Sequence, residues 1–272
     1  MKSYDDLLTE RYGTAAKAAD ASLDAAVAGL LGHRSVRAFT QEPVGEDVLE
    51  QLVAAAQSAS SSSNLQTWSV VAVRDPARRA RLAEYAGGQR HVAEAPLVLV
   101  WIADISRLGR MARALGETCE GLDYLESLLL GVIDAALAAQ NAAVAAEARG
   151  LGIVYLGALR NQPEKVAAEL GLPHGAFGVF GMCVGHPDPA RPAAVKPRLP
   201  QSVVLHREQY SARGEAEGVA AYDAIMTRFY TSQAMNVQGW SGHSVARIRD
   251  ARSLNGRDRL SQSLKALGFA IK

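Results

Sequence analysis

The chain has 272 residues, with 29 basic and 28 acidic side chains, a formal net charge of +1 and 49% hydrophobic content. That near-neutral balance excludes the strong basic field that draws polynucleotides, so no nucleic-acid partner is expected. The two cysteines, Cys119 and Cys183, lack the C-x-x-C spacing of a metal or redox pair and read as free thiols.

A chain of this length buries one sizeable core with an arm appended. Its N-terminus, M-K-S-Y-D-D-L-L, has no apolar stretch ahead of its acidic residues and does not read as a signal peptide. No run reaches the roughly 18 apolar residues that span a bilayer, so no membrane segment is expected. A soluble cytoplasmic protein is the expectation.

Residues 3–31 predict one or two helices, with Leu7 and Leu8 followed by an alanine-rich run to Leu30 and Leu31, closed by Gly32. After H-R-S-V-R-A-F-T at 33–40, Glu46 and Asp47 open a helix whose stripe is Leu49, Leu52, Val53 and Ala56. A polar stretch with Ser61, Ser62, Ser63, Asn64 and Gln66 ends it, and Trp68 to Val73 has the pattern of a strand.

Asp75-Pro76 turns into a helix over 77–86, stopped by Gly87-Gly88. The continuous apolar run from Leu97 reads as a strand buried on both faces. Residues 104–123 are expected to hold a helix and a loop. Leu125 to Arg149 is the clearest helix, apolar on more than one face, and is read as a central buried helix suited to a subunit interface.

A short strand is expected from Gly152 to Leu159, then a helix over 162–170 with Pro163 near its start. A further strand spans 176–185, followed by a long proline-rich loop through K-P-R-L-P, and Val203 to Leu205 are read as a last short strand. The tail is read as a helix from Gly218 to Phe229, a polar loop through Gly242, and a helix from near Arg257 to Leu267.

Three polar clusters stand out. His33, Arg34, Ser35 and Arg37 offer guanidinium pairs and a hydroxyl to a phosphate, and Lys196 with Arg198 offer a second cationic patch around Pro197. The serine stretch offers hydroxyls and amides to the polar edge of a heteroaromatic ring. Gly87-Gly88-Gln89 with His91 forms a further polar turn. Taken singly, each cluster also describes an ordinary surface turn or solvated charge. The zincin H-E-x-x-H, the G-x-S-x-G elbow, the Walker loop and the dinucleotide G-x-G-x-x-G are all missing, and no metal site is indicated.

In their combined order these pieces resemble the FMN-dependent nitroreductase superfamily, in particular its oxygen-insensitive NADPH nitroreductase and flavin reductase branch. The matching stretches are H-R-S-V-R-A-F-T at 33–40, S-S-S-S-N-L-Q at 60–66, G-G-Q-R-H-V at 87–92, G-I-V-Y-L-G-A-L-R-N at 152–161 and V-K-P-R-L-P at 195–200.

The resemblance implies an α+β, three-layer sandwich around a mixed sheet, assembled as an intertwined homodimer with FMN at the interface. It divides the chain into an N-terminal helical extension over 1–23, an FMN-binding core over 24–205 and a C-terminal extension over 206–272. It assigns His33, Arg34, Ser35 and Arg37 to the FMN phosphate and ribityl region, and Lys196 with Arg198 to the flavin. Ser61, Gln66, Gln89, His91, Tyr155, Leu156, Gly157 and Ala158 carry over as further FMN positions, and Asn64, Gln233 and Arg257 as nucleotide or substrate contacts.

The implied chemistry is ping-pong transfer of two electrons from NADPH or NADH to nitroaromatics, quinones or free flavin, with no side-chain nucleophile. Two departures bear on specificity. Phe229 to Gln238 carries no charge where the branch holds arginine or lysine for a 2'-phosphate, which implies a weakened NADPH preference or use of NADH, and Ala158 stands where glycine is frequent. The alternatives are a non-enzymatic flavin-binding regulator and a superfamily enzyme with different acceptor chemistry.

Overall fold

The computed structural model describes residues 2–16, 24–237 and 239–272. The alanine-rich part of the expected N-terminal extension over 17–23, and Gln238 of the uncharged loop, lie outside the described residues.

The chain opens with α1 (Tyr4–Tyr12), fixed at both ends. Ser3 and Asp6 exchange backbone bonds in a capping box, and Gly13 ends the helix in the left-handed region at φ 66°. Next come α2 (Ala25–Leu31) and α3 (Glu46–Gln57), the latter starting at its two acids. Then follow β1 (Trp68–Val73), α4 (Pro76–Tyr85), α5 (Arg90–Glu94), β2 (Leu97–Asp104) and α6 (Ser106–Leu115).

The 24-residue α7 (Leu125–Ala148) leads to β3 (Gly152–Leu156), α8 (Pro163–Leu170) and β4 (Ala176–Gly185). The tail holds α9 (Gln201–Val204), α10 (Glu215–Ser232), α11 (Ser241–Ile248) and α12 (Leu260–Ala266).

Several of these elements correct the sequence reading. The expected strand over Val203–Leu205 is instead the short helix α9, with Leu205 Nα bonded to the Gln201 carbonyl at 2.8 Å; valine-rich composition yields there to local helical bonding. The strand from Gly152 ends at Leu156, and a 3-10 turn takes over through Asn161. The polar loop reaching Gly242 is cut short by α11.

Two compact units make up the chain: Met1–Arg34 with Ala194–Leu254, and Ser35–Ala193 with Asn255–Lys272. The sheet belongs to the second unit, in the order β1-β2-β4-β3. Every ladder in it is antiparallel, and the expected mixed character reduces, among the described residues, to one parallel bridge from Ser35 to Ile153.

Alternation along β2 builds the three layers. Leu97, Leu99, Trp101 and Ala103 pack on one face with α3 and α7, while Val98, Val100 and Ile102 pack on the other with α4, α8 and Leu156. In β4 the core-facing positions jump from Phe177 and Val179 to Met182 and Val184, because the register against β2 shifts between Trp101 and Ile102. A bulge there inverts the side-chain parity.

The helix α7 is buried on one side only. Ala135, Ala138, Ala139, Ala142, Ala143 and Ala146 enter the core, and Gly131 lets the helix approach the sheet so closely that an added Cβ would meet that of Ala103 at 2.9 Å. The opposite stripe, Leu125, Leu129, Ile133 and Leu137, is 44–52% exposed, and it is on this surface that the expected suitability for a subunit interface rests.

By length and mean hydropathy of 1.7 this helix passes as a candidate membrane span, although the sequence pointed to none. Its alanine face packs on β2 and α3 as a core helix does.

In the first unit the core is small: Tyr222, Met226 and Tyr230 of α10, with Leu199, Phe229, Val237 and Trp240 around them.

Candidate functional site

In the second unit the backbone at Ser35 and Val36 lies beside β3, with Val36 Nα donating to the Ile153 carbonyl at 2.8 Å, and the chain then passes to the residues after β4, where Thr40 Nα donates to the His186 carbonyl at 2.9 Å. Gly152 is required opposite it, since an added Cβ would lie 2.7 Å from that of Val36. This pairing turns Val36 inward and leaves Arg37 exposed.

His91, on α5, has its pKa lowered from 6.5, first by burial and then by the positive charge of Arg37, so a neutral imidazole and a guanidinium share one neighbourhood. Gln89 spends one amide hydrogen on the Ala86 carbonyl at 3.2 Å. Behind them, burial pushes the Cys183 thiol up to about 12, against the pull of Arg79 and Arg37.

The serine stretch is held more tightly than its composition implies. Ser63, Asn64 and Gln66 all sit in the left-handed region, at φ 49°, 54° and 50°. Each such residue costs on the order of 1 kcal/mol without glycine, so the turn needs anchors.

Asp134, 3% exposed on α7, supplies one. Its Oδ2 accepts from Ser61 Oγ at 2.8 Å, Thr67 Nα at 2.8 Å and Thr67 Oγ1 at 2.9 Å. Ser61 Oγ in turn accepts from Gln66 Nα at 2.8 Å. On the other side Arg107 donates to the Gln66 carbonyl at 2.8 Å and to Ser69 Oγ at 2.9 Å.

The turn thus presents the Asn64 and Gln66 side chains to solvent, along a groove of about 610 Å³ that Trp68, Arg107 and Met111 also line. The Ser61 hydroxyl is already engaged within the protein.

At the end of β3, Tyr155 is 36% exposed, lies edge-on to Phe180 and donates to Gln140 Oε1 at 3.3 Å. Burial, reinforced by Glu147, raises its pKa, so the phenol stays protonated. Leu156 and Ala158 send their side chains into the core, and Gly157 remains half-buried between them. Arg257 Nε donates to Asn161 Oδ1 at 2.8 Å, which ties the C-terminal basic position to the end of the 3-10 turn.

In the first unit, Arg34 and Arg198 are exposed, while His33 and Lys196 are half-buried. Lys196 Nζ lies 5.8 Å from the centre of the Tyr230 ring, and the Pro197 carbonyl accepts from the Tyr222 hydroxyl at 2.8 Å. The backbones of His33 and Lys196 are gathered onto one side chain, Arg11. Gln233 is exposed, with its amide on Ser232 Oγ at 3.3 Å.

Sequence reasoning missed Asp134, Arg107 and Arg11. Only Asp134 carried a signal, as an acid within an otherwise apolar helix face.

Each unit by itself offers groups whose chemistry fits FMN: in the first, the Arg34 and Arg198 guanidiniums and the Lys196 ammonium suit a phosphate or a ring that gains negative charge; in the second, the Arg37 guanidinium, the exposed Asn64 and Gln66 amides and the neutral His91 imidazole suit a phosphate and polar ring edges.

Comparison with known proteins gives the same direction. The model of the Nitroreductase family matches residues 30–186, and that of the Nitroreductase family, C-terminal domain, matches 196–272. The oxygen-insensitive NADPH nitroreductase of Salmonella typhimurium is 42% identical over 245 residues, covering 89% of this chain and 97% of that protein. The FMN reductase [NAD(P)H] of Bacillus subtilis is 38% identical over 219 residues, covering 79% and 87%. Among solved structures, NfrA2 of B. megaterium superposes with a TM-score of 0.86 at 34% identity, covering 92% of this chain and all of that one.

Proposed function

The chain belongs to the Nitroreductase family, and we propose that it takes two electrons from NADPH or NADH and delivers them to a nitroaromatic, a quinone or free flavin. It is an NAD(P)H-dependent oxidoreductase of the flavin-using kind, with FMN as its cofactor. The observation that carries the reading is that the two family models together match residues 30–186 and 196–272, and that the basic and amide residues of the stretches at 33–37, 61–66, 89–91 and 196–198 are present.

When bound, FMN supplies a ring that accepts hydride from a nicotinamide and returns the electron pair to an acceptor. The protein binds and tunes. His33, Arg34, Ser35 and Arg37 supply the donors for a phosphate and its ribityl chain. Lys196 and Arg198 supply positive charge that balances a reduced ring. Ser61, Gln66, Gln89, His91 and the Tyr155–Ala158 turn complete the contacts, with Ser61 acting through the turn it anchors. Asn64, Gln233 and Arg257 are assigned to the nucleotide or acceptor.

The segment after α10, Gln233 to Val237, offers no cation to a 2'-phosphate, so the preference for NADPH is weakened and NADH is used as well. The apolar stripe Leu125, Leu129, Ile133 and Leu137 supports assembly as a homodimer. The free thiols Cys119 and Cys183 fit a reducing, cytoplasmic setting.

The test is anaerobic titration of the FMN-loaded protein with either donor. Bleaching of the oxidised-flavin spectrum is expected, with kcat/KM for NADH within about tenfold of that for NADPH or above it. An NADPH advantage beyond about a hundredfold overturns the donor assignment, and retained FMN that neither donor bleaches points to a flavin-binding regulator. Sedimentation should give the dimer mass, and a monomer at micromolar concentration removes the assembly.

A further inference from the structure

The helix α1 lies ahead of the residues matched by the family model, which begin at 30, yet it is a fully specified element. Its capping box, its left-handed Gly13 and its buried Leu7 and Arg11 fix both its ends and the face it buries. Gly13 is confined as well: an added Cβ would lie 2.4 Å from Ile225 and 3.1 Å from Pro197.

Arg11 is 8% exposed, and its guanidinium is spent on backbone carbonyls of two distant stretches. Nη2 donates to Leu31 O at 2.7 Å and to His33 O at 2.8 Å, and Nε to Leu31 O at 3.2 Å. Nη1 donates to Lys196 O at 3.0 Å. The main chain repeats the link, since Arg198 Nα donates to the Arg11 carbonyl at 2.9 Å. All of these residues lie within one compact unit.

A guanidinium is a rigid planar fork, so carbonyls bound to its separate N–H groups have their spacing set by its shape. The stretches it joins carry His33 with Arg34 and Lys196 with Arg198, the four basic residues of this unit assigned to FMN.

We propose that Arg11 is a positioning residue for the cofactor: the N-terminal helix acts as a strap whose guanidinium sets the separation of the His33–Arg34 and Lys196–Arg198 stretches. This rests on the reading that those stretches hold FMN. The helix therefore belongs to the binding machinery although it lies outside the family match. Lysine at this position keeps the charge but concentrates its donors on one atom, and cannot hold three carbonyls in a plane.

The experiment uses the full chain with Arg11→Met and Arg11→Lys. Affinities for FMN and for riboflavin, which lacks the phosphate, are measured by flavin fluorescence, and amide hydrogen exchange of the apoprotein is followed over 31–34 and 195–199. Far-UV circular dichroism reports the overall fold.

Arg11→Met should weaken FMN by on the order of tenfold, as expected for losing charge-assisted bonds, and should reduce the preference for FMN over riboflavin. Exchange should quicken in both stretches while the main thermal transition persists. Arg11→Lys should recover only part of the loss.

Unchanged FMN affinity with both stretches still protected overturns the proposal. So does an equal loss for FMN and riboflavin, or a full rescue by lysine. If Arg11→Met fails to fold, Arg11→Lys alone decides by the same ratio and exchange readouts. A wild-type protein that never binds FMN overturns the cofactor reading instead, and the exchange data still decide whether Arg11 couples the two stretches.

Discussion

Two polar turns, Ser61–Thr67 and Lys196–Arg198, are held by the same means with opposite charge. In the first, a buried carboxylate, Asp134, collects two hydroxyls and a backbone N–H. In the second, a buried guanidinium, Arg11, collects backbone carbonyls, with Tyr222 adding a bond to Pro197.

What differs is the surrounding core. Asp134 projects from a helix packed against the sheet through the larger apolar cluster, whereas the second turn sits in a unit whose buried apolar cluster is three side chains of α10. An anchor built into a large core is coupled to global stability. An anchor in a small one is coupled mainly to local geometry.

Breaking the first anchor should have the largest effect. Asp134→Ala leaves Thr67, 2% exposed, with its N–H and hydroxyl unsatisfied; the cost should be about 3 kcal/mol in urea unfolding. Asp134→Asn, which retains an acceptor oxygen, should lie between.

Tyr222→Phe removes the hydroxyl on the Pro197 carbonyl and should cost about 1 kcal/mol or less. Its main sign should be faster amide exchange around Pro197. If Tyr222→Phe destabilises the whole chain as much as Asp134→Ala, the contrast between the two regions fails.

The smallest effect is one of pH alone. Because the folded pKa of His91 lies below its ordinary 6.5, the unfolded chain binds the proton more readily. Stability contributed by the neutral imidazole is therefore complete above pH 6.5 and is lost as pH falls through the lowered folded value. His91→Gln should flatten the stability profile below pH 6.5 and leave it unchanged above neutrality. A wild-type slope that survives this substitution assigns the effect to another group.

Much of the fold was legible locally. The strand over Trp68–Val73 and the strand over 176–185 coincide with β1 and β4, and the apolar run from Leu97 is buried along its whole length, as its composition required. The helix from Leu125 was equally clear, but not its exposed stripe. Leucine and isoleucine at four-residue spacing state a face, not what covers it.

The expected strand at Val203–Leu205 failed for the converse reason. β-branched residues favour a pleated surface only where a neighbouring strand exists to pair with them, and here the backbone bonded to itself.

By itself the sequence determined which residue types were available and in what order. It supplied the cationic stretches at 33–37 and 196–198, the serine turn, the absence of charge over 229–238, and the family to which this pattern belongs. Those properties are local, and a contiguous motif carries them wherever the chain places it.

Only the tertiary structure decided how these stretches are held. That Asp134 spans to Ser61 and Thr67, and that Arg11 reaches both His33 and Lys196, are contacts between residues far apart in the chain. No periodicity encodes them. Burial fixed them, because a charge taken out of water must find hydrogen-bond partners wherever the fold brings them within reach.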